Sequence, residues 1–269
     1  MPRLHKTSTL HGTHIGHVRR INEDALFVNE REGLWLVADG IGGHGDGKRA
    51  SAILVEHVES YRQGDSIETC LADIESRLEQ ANEACRSIRG SKASGTTVAA
   101  LLICQSKALF VWAGDSRIYR LRGADLALMT EDHTLAQERC RRGELSQDET
   151  QKLPSANVLT RAVGIHPHLT LQKCVEEVTA GDRYLISTDG LHKELTLETV
   201  QQMMNGPFDD QILQALIDEA LDLGLSGSLQ RHVGAIDVRA VVLVRALNGR
   251  HDIGQRRDMI DTVDSAHRI

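Results

Sequence analysis

The pattern of apolar and polar positions predicts short buried strands with amphipathic helices grouped between them. Residues 109–121, LFVWAGDSRIYRL, predict two strands joined by a tight turn at residues 114–116. Uninterrupted apolar runs typical of buried strands lie at 34–38, 98–104, 184–186 and 240–244. The sequence shows no internal repeat, so these strands are expected to belong to one layered domain.

Two amphipathic helices are predicted after the first of these strands. Apolar residues recur at helical spacing in residues 49–61 and 66–89. Ser66 suits the N-cap of the second helix, and Gly90 suits its end. Further helical patterns lie near 196–205 and 209–224. With roughly eight or more short strands among these helices, the predicted fold class is α+β with mainly antiparallel strands.

The predicted domain covers residues 1–247. Within it, the polar residues 130–154 predict a surface insertion, although a helical pattern lies around 135–143. Residues 248–269 are charged and have no periodicity, which predicts a polar tail without stable structure.

Composition narrows the class of protein. Of the 269 residues, 41% are hydrophobic but only 3% are aromatic, so the core is expected to be mostly aliphatic. The formal net charge is −7 and no basic stripe is visible, which argues against a nucleic-acid partner. No apolar run approaches the ~20 residues of a membrane span, and the first residues lack the apolar core of a signal peptide. The expected location is therefore the cytoplasm.

The cysteines and histidines suggest no other chemistry. The five cysteines form no CxxC pair, which predicts reduced, structural thiols at Cys70, Cys85, Cys104, Cys140 and Cys174. A zinc site is conceivable where three histidines recur at every third position, although no cysteine or further ligand cluster lies nearby. Strand or loop histidines are the favoured interpretation of His11, His14 and His17.

The stretch LWLVADGIGGHGDGK at residues 34–48 is the strongest local signal. A buried strand ends at Asp39, and five glycines follow between Gly40 and Gly47. A carboxylate at the end of a strand, followed by backbone free to turn, is a common way to present a ligand at the rim of a sheet.

Four aspartates share this context at the start or end of an apolar strand: Asp39, Asp115, Asp189 and Asp237. If they meet at one rim they repel one another, and divalent cations are the natural counter-charge. Oxygen ligands select Mg²⁺ or Mn²⁺ rather than zinc. Two such ions ~4 Å apart can activate water for phosphoester hydrolysis. Arginine, here Arg19, is suited to binding a phosphate. The alternative is that each aspartate only forms a turn, because spacing alone does not prove convergence.

Six motifs in order resemble the bacterial metal-dependent protein Ser/Thr phosphatases, known as PPM or type 2C phosphatases. They are GHVRRINEDA at 16–25, VADGIGGHG at 37–45, SGTT at 94–97, AGDSRIYRL at 113–121, LTRAVG at 159–164 and LISTDGL at 185–191. The resemblance implies a four-layer αββα sandwich of two antiparallel sheets flanked by helices. It also implies hydrolysis of phosphoserine and phosphothreonine in proteins.

The resemblance assigns metal ligands by position. Asp39 would bridge two Mn²⁺ or Mg²⁺ ions, and the carbonyl of Gly40 would bind the first. Asp189 and Asp237 would complete the second. Asp115 would belong, with Asp189, to a third ion seen in bacterial members.

Other residues receive supporting roles from the same resemblance. Glu23 and Asp24 would act on the metals through water, and Arg19 would bind the substrate phosphate. Residues 130–154 would form a mobile flap beside the cleft. The implied substrates are phosphorylated proteins, in opposition to a bacterial Ser/Thr kinase, and the segments WAGDSRIYRL and EDHTLAQE are similar to phosphatases that accompany type VI secretion kinases.

The chain departs from the family pattern at two places. The final motif usually reads Asp-Asn, but here Val238 follows Asp237. A shift by one residue would put Ile236 at the metal position and remove a ligand; Asp237 is preferred because the final strand then aligns. Ile41 stands where some eukaryotic members have a histidine proposed as general acid, and His44 is a weaker candidate for that role.

Two other functions fit parts of the sequence. Residues 42–48 satisfy the P-loop pattern GxxxxGK, but Arg49 replaces the Ser or Thr that should bind Mg²⁺. The departure after Asp237 is also compatible with a pseudophosphatase that binds phosphoproteins without hydrolysing them.

Overall fold

The structure, a computed structural model, describes residues 6–16, 21–42, 45–88, 94–146, 149, 156–231 and 239–247. These residues form the strands β1 (Lys6–His14), β2 (Ala25–Asn29), β3 (Leu34–Ala38), β4 (Gly40–Ile41), β5 (Gly95–Thr96), β6 (Val98–Cys104), β7 (Lys107–Ala113), β8 (Arg117–Arg122), β9 (Asp125–Leu128), β10 (Gln172–Glu177), β11 (Arg183–Ser187) and β12 (Arg239–Leu247). The helices are α1 (Asp46–Val58), α2 (Ile67–Arg86), α3 (Leu135–Arg141), α4 (Asp189–His192), α5 (Leu197–Met204) and α6 (Asp210–Arg231).

Ten of the strands form two antiparallel sheets of five. Sheet A has the order β1-β12-β11-β8-β9, and sheet B has the order β10-β7-β6-β3-β2. The remaining two strands, β4 and β5, pair in a short ladder. Among the described residues, no helix is long and apolar enough to cross a membrane.

The sheets pack face to face, and helices cover both outer faces. Between the sheets, Trp35 and Val37 of β3 belong to one buried cluster with Phe110, Tyr184 and Val242. The alternate residues of β3 pack against α1 and α2 instead, because successive side chains of a strand point to opposite faces. A second helical layer, formed by α4, α5 and α6, packs on sheet A. The predicted four-layer αββα sandwich is confirmed.

The predicted helices are present with shifted ends. Ser66 caps α2 as predicted: its hydroxyl accepts from the amide N–H of Thr69, whose side chain bonds back to Ser66. The first helix begins at Asp46 rather than residue 49, after Gly45 at φ 87°. Glycine tolerates this left-handed conformation, so the chain can turn sharply into α1.

The predicted strand, tight turn and strand at residues 109–121 are present as β7 and β8. The two strands do not pair with each other as a hairpin would, because β7 lies in sheet B and β8 in sheet A. The apolar pattern also misses β1 and β10, which are edge strands with many partly exposed positions. Gly90 and the predicted tail, residues 248–269, lie outside the described residues.

Candidate active site

The predicted carboxylates gather at one end of the two sheets. Asp39 follows β3 of sheet B, and Asp189 lies just after β11 of sheet A. Asp24 precedes β2, whose first residue Ala25 pairs with Ala38. The antiparallel register therefore places Asp24 beside Asp39.

Asp115 reaches the same end on the turn that joins the two sheets. Ala113, the last residue of β7, pairs with Val98 in sheet B. Arg117, the first residue of β8, pairs with Ser187 in sheet A. The turn carries Asp115 across the space between the sheets, where the residue is only 5% exposed.

These carboxylates are close enough to change one another's ionisation. Burial raises the pKa of Asp39 well above its ordinary value, and the charges of Asp189, Asp24 and Asp115 raise it further. Among these charges, that of Asp189 raises the pKa of Asp39 most. The rim therefore carries surplus negative charge, for which a cation is the natural partner.

Lys193 brings a positive charge into this set. Its Nζ donates to Oδ2 of Asp189 and lies 3.7 Å from Oδ2 of Asp115. Burial alone would raise the pKa of Asp189, but Lys193 holds it below its ordinary value. Burial and the charge of Asp189 raise the pKa of Asp115 to about 7, although Lys193 opposes the shift. The lysine therefore stabilises the ionised form of Asp189 most.

Two threonines of the SGTT motif hold the backbone of Asp39. The Oγ1 of Thr97 accepts from the Asp39 N–H at 2.9 Å, and the Thr97 N–H donates to the Asp39 carbonyl at 2.9 Å. The Oγ1 of Thr96 donates to the same carbonyl at 3.0 Å. Thr97 also bonds to the hydroxyl of Ser116 at 2.7 Å, beside Asp115. The motif thus ties the end of β3 to the turn between the sheets.

Gly40 lies where three backbone segments meet. Its N–H donates to the carbonyl of Glu23 at 3.2 Å, and the hydroxyl of Ser51 donates to that same carbonyl at 2.6 Å. A Cβ at Gly40 would lie 2.2 Å from the carbonyl oxygen of Gly47 and 2.5 Å from that of Glu23. Only glycine permits this approach, which fixes the main chain after Asp39.

Asp24 is held by the other sheet. Its Oδ2 accepts from the hydroxyl of Thr188 at 2.7 Å and from the N–H of Ala240 at 3.2 Å. The Ala240 N–H also reaches the Thr188 oxygen at 3.0 Å. A carboxylate preceding sheet B is therefore positioned by the ends of two strands of sheet A.

The Asp115 turn is anchored by His133. The His133 N–H donates to the carbonyl of Gly114 at 2.9 Å, and the Gly114 N–H donates to Nδ1 at 3.1 Å. Because Nδ1 accepts, the proton of the neutral ring lies on Nε2, which is 2.6 Å from Oε1 of Gln172. Burial lowers the pKa of His133 despite this contact, in agreement with a neutral ring.

A partly buried ion pair supports the same turn. Arg117 donates from Nε and Nη2 to the two carboxylate oxygens of Asp132, at 2.9 and 2.8 Å. His192 lies near this pair; burial and the charge of Arg117 lower its pKa to about 3. The predicted surface insertion at residues 130–154 is wrong for its first part, because four of its residues are buried: Thr130, His133, Thr134 and Ala136.

The comparison with known protein families decides the identity of this arrangement. The family model described as protein phosphatase 2C matches residues 11–229, which is most of the chain. The chain belongs to the protein phosphatase 2C family. The Asp-Gly pairs after β3 and β11 lie within two of the motifs on which the sequence resemblance rested.

Curated relatives of this family are similar over the same region. The Ser/Thr protein phosphatase PstP of Mycobacterium tuberculosis is 31% identical over 216 residues, which cover 77% of this chain and 40% of PstP. The phosphatase Stp of Listeria monocytogenes is 31% identical over 190 residues, covering 65% of this chain and 74% of Stp. The chain thus spans well under half of the mycobacterial protein.

Solved structures share the fold. PppA, described as a key regulatory component of T6SS in Pseudomonas aeruginosa, superposes with a TM-score of 0.79 at 31% identity, covering 91% of this chain and 99% of PppA. The catalytic domain of PstP in complex with two manganese ions superposes with a TM-score of 0.75 at 26% identity, covering 90% and 99%. The fold is therefore shared with proteins whose sequence identity to this chain is low.

Within this phosphatase fold, the structure gathers most of the predicted site residues. Asp39, Gly40, Asp115, Asp189 and the pair Glu23–Asp24 all lie at one end of the sheets. Arg19, Asp237 and His44 lie outside the described residues, so their predicted roles stay predictions. Ile41 pairs with Gly95 in the β4–β5 ladder.

Sequence reasoning missed the residues that hold the acids of this site. Thr188 lies in the quoted motif LISTDGL, but only the folded chain brings it to Asp24. Lys193 lies four residues after Asp189, and this spacing on a helical turn was the available signal. The role of Thr97 had no local signal, because its partner Asp39 is 58 residues away.

The described residues fit a hard divalent cation such as this family uses. Their donors are oxygens, and Oδ1 of Asp189 is buried with no hydrogen-bond partner among the described residues. No three His, Cys, Asp or Glu side chains in the described part of the chain are grouped closely enough to hold an ion alone. Mg²⁺ is usually bound through one or two carboxylates and keeps several waters, so Asp39 and Asp189 suit it.

Proposed function

We propose that this chain hydrolyses phosphoserine and phosphothreonine in proteins, using two or three Mn²⁺ or Mg²⁺ ions. The observation that carries the proposal is the convergence of Asp39, Asp189, Asp24 and Asp115 at one end of a protein phosphatase 2C fold. Buried carboxylates in mutual repulsion need a counter-charge, and their oxygens select hard divalent cations.

The residues of the site have two kinds of role: some would ligate the ions, and others position the acidic ligands. Asp39 and the carbonyl of Gly40 would ligate the first ion, and Asp39, Asp189 and Asp237 the second. When bound, such a pair of ions activates water and neutralises charge on the phosphoryl oxygens. Arg19 would bind the substrate phosphate with its guanidinium fork.

The supporting residues act by positioning. Thr96 and Thr97 hold the Asp39 backbone, so its carboxylate keeps one direction. Thr188 fixes Asp24, and the Glu23 carbonyl fixes Gly40. Glu23 and Asp24 would act on the ions through water. These contacts pre-organise the site before substrate binds.

The proposed substrates are phosphorylated proteins of a bacterial Ser/Thr kinase pathway in the cytoplasm. PppA is described as a regulatory component of T6SS and shares 31% identity and nearly its whole length with this chain. This similarity supports a role in the phosphorylation signalling of type VI secretion, as the segments WAGDSRIYRL and EDHTLAQE also suggested.

The assay is phosphate release from a phosphothreonine peptide, with Mn²⁺ and with EDTA. We expect release only with the metal. A matched phosphotyrosine peptide tests the class of ester, and ATP tests the P-loop alternative at residues 42–48. ATP hydrolysis without peptide hydrolysis would contradict the proposal.

A pseudophosphatase remains the second candidate because Val238 follows Asp237 where the family has asparagine. This candidate predicts Mn²⁺ binding and phosphopeptide binding together with background turnover. Restoring the family pattern with Val238→Asn should then raise turnover, whereas an active phosphatase should be little changed by it.

A further inference from the structure

An ammonium group already lies inside the acidic set. Lys193 follows α4, and its N–H donates to the carbonyl of Asp189 at 3.0 Å. Residues four apart on a helical turn face the same side, so the Lys193 side chain returns to the carboxylate of Asp189. Its Nζ donates to Oδ2 of Asp189 and lies 3.7 Å from Oδ2 of Asp115.

The two carboxylates that Lys193 contacts are those that the family resemblance assigned to a third metal ion. Asp115 and Asp189 have side chains only 7% and 14% exposed, whereas Lys193 is 35% exposed. A third ion between the two acids would compete with the ammonium for Oδ2 of both, and the two positive charges would repel. The other oxygen of Asp189, Oδ1, has no hydrogen-bond partner among the described residues and stays open to the ion that Asp39 would share. The described residues therefore do not fit a third ion while Lys193 holds this position.

The neighbouring arginine does not substitute for Lys193. Arg117 lies two residues after Asp115, but its guanidinium is engaged by both oxygens of Asp132, at 2.9 and 2.8 Å. Its remaining nitrogen, Nη1, donates to the hydroxyl of Tyr119 at 3.3 Å, so these contacts hold the guanidinium at Asp132. Lys193 is thus the cation that these contacts direct to Asp115 and Asp189.

We propose that Lys193 is a built-in counter-cation that stands in for a third metal ion between Asp115 and Asp189, so that the chain binds two ions. The inference rests on the proposed function, since it concerns the same metal-binding end of the sheets. Asp115 then belongs to an internal ion pair rather than to a metal, and Lys193 is a positioning residue for Asp189.

The test is the number of Mn²⁺ ions bound per chain, measured by equilibrium dialysis and elemental analysis. We expect about two ions in the wild-type chain. Asp115→Asn should keep that number, because Asp115 ligates neither ion. Lys193→Met removes the charge but keeps a long side chain, and it should add one weaker equivalent. Combining Lys193→Met with Asp115→Asn should remove that extra equivalent.

Two further variants control for charge and size. Lys193→Arg keeps a cation at the position and should keep the wild-type count. Lys107→Met removes a lysine that is exposed at the start of β7, and it should also leave the count unchanged. An extra ion in both methionine variants would show an effect of net charge and overturn the proposal.

The outcomes separate this inference from the proposed function. Three ions in the wild type, or a loss of one ion in Asp115→Asn, overturns the inference while phosphate release still supports the phosphatase. An unchanged count in Lys193→Met overturns it as well. If Lys193→Met does not fold, the wild-type and Asp115→Asn counts still decide. A chain that binds no Mn²⁺ and releases no phosphate contradicts both proposals.

Discussion

The two acid–glycine steps of this molecule look alike in sequence but are stabilised in different ways. Asp39-Gly40 follows a strand of sheet B and continues into the β4–β5 ladder, whereas Asp189-Gly190 lies just after a strand of sheet A and opens α4. The main chain of Asp39 is held by Thr96 and Thr97, and its carboxylate faces other acids. The carboxylate of Asp189 instead contacts Lys193.

The pKa directions record this difference. Burial and three neighbouring acids raise the pKa of Asp39, while Lys193 keeps the pKa of Asp189 low against the effect of burial. Burial and repulsion thus destabilise the ionised form of Asp39, and a cation can relieve this. The negative charge of Asp189 is already partly neutralised by Lys193. A metal site can combine both kinds, because ions are then needed mainly at the uncompensated acid.

The largest expected effect comes from removing the negative charge of Asp39 or that of Asp189. Asp39→Asn and Asp189→Asn should each lower phosphopeptide turnover by at least about 100-fold, because each removes a proposed metal ligand. The two substitutions should change the stability of the metal-free chain in opposite directions. Asp39→Asn removes a repelled charge and should raise the free energy of unfolding in EDTA. Asp189→Asn should lower it, because Lys193 loses the nearer of its two carboxylate partners.

Urea unfolding in EDTA measures this difference, and Asp125→Asn provides a control at a side chain that is 77% exposed. Equal destabilisation by both active-site variants would show that Asp39 and Asp189 are compensated alike. That result would remove the distinction between the two steps.

A smaller effect is expected from the threonines that hold these steps. Thr97→Val leaves the Asp39 N–H without its hydroxyl acceptor, and Thr188→Val removes the hydroxyl that donates to Asp24. Each should cost about 1–3 kcal/mol of unfolding free energy, since both sites are buried. Thr97→Val should also weaken Mn²⁺ binding more than Thr188→Val, because it acts directly on Asp39.

Serine at either position keeps the hydroxyl and serves as the matched control. Thr97→Ser and Thr188→Ser should recover Mn²⁺ affinity, measured by calorimetry, even if the lost methyl group lowers stability. Failure of serine to restore affinity at position 97 would assign the effect to packing rather than to the hydrogen bond.

The sequence predicted that the acids converge, but it did not predict which residues hold them in place. Asp39 and Asp189 could be predicted because each ends an apolar run and precedes glycine, a signal contained in neighbouring residues. The partners Thr97 and Thr188 are brought to Asp39 and Asp24 only by the packing of two sheets. Local patterns carry no record of such contacts, so their roles could not be derived.

The same limit explains the errors in the fold. Strands β7 and β8 have the pattern of a hairpin, but the choice between one sheet and two depends on the partners of each strand. The polar residue His133 suggested a surface segment, yet it is 4% exposed because its ring and backbone bond to the Asp115 turn and to Gln172. Polarity indicates exposure only where no internal partner exists.

The smallest expected effect on activity is at the opposite end of β11, where Asp182 precedes the strand that leads to Asp189. Asp182 is fully buried, and both its oxygens accept from Arg122 at 2.8 Å. Burial alone would raise the pKa of Asp182, but Arg122 and the Thr179 N–H lower it below its ordinary value. Its stabilisation is therefore present above about pH 4 and is lost as the pH falls through the lowered pKa.

Asp182→Asn should accordingly cost about 1–3 kcal/mol of unfolding free energy at pH 7, with turnover and Mn²⁺ affinity unchanged at temperatures where the chain is folded. Denaturant unfolding between pH 7 and pH 2 measures the difference, which should shrink at the acidic end as the wild-type Asp182 takes up a proton. A difference that stays constant with pH would mean that the charge of Asp182 contributes nothing. Loss of Mn²⁺ affinity in this variant would instead show that the two ends of β11 are coupled, and the acid at Asp189 would then owe its position to more than Lys193.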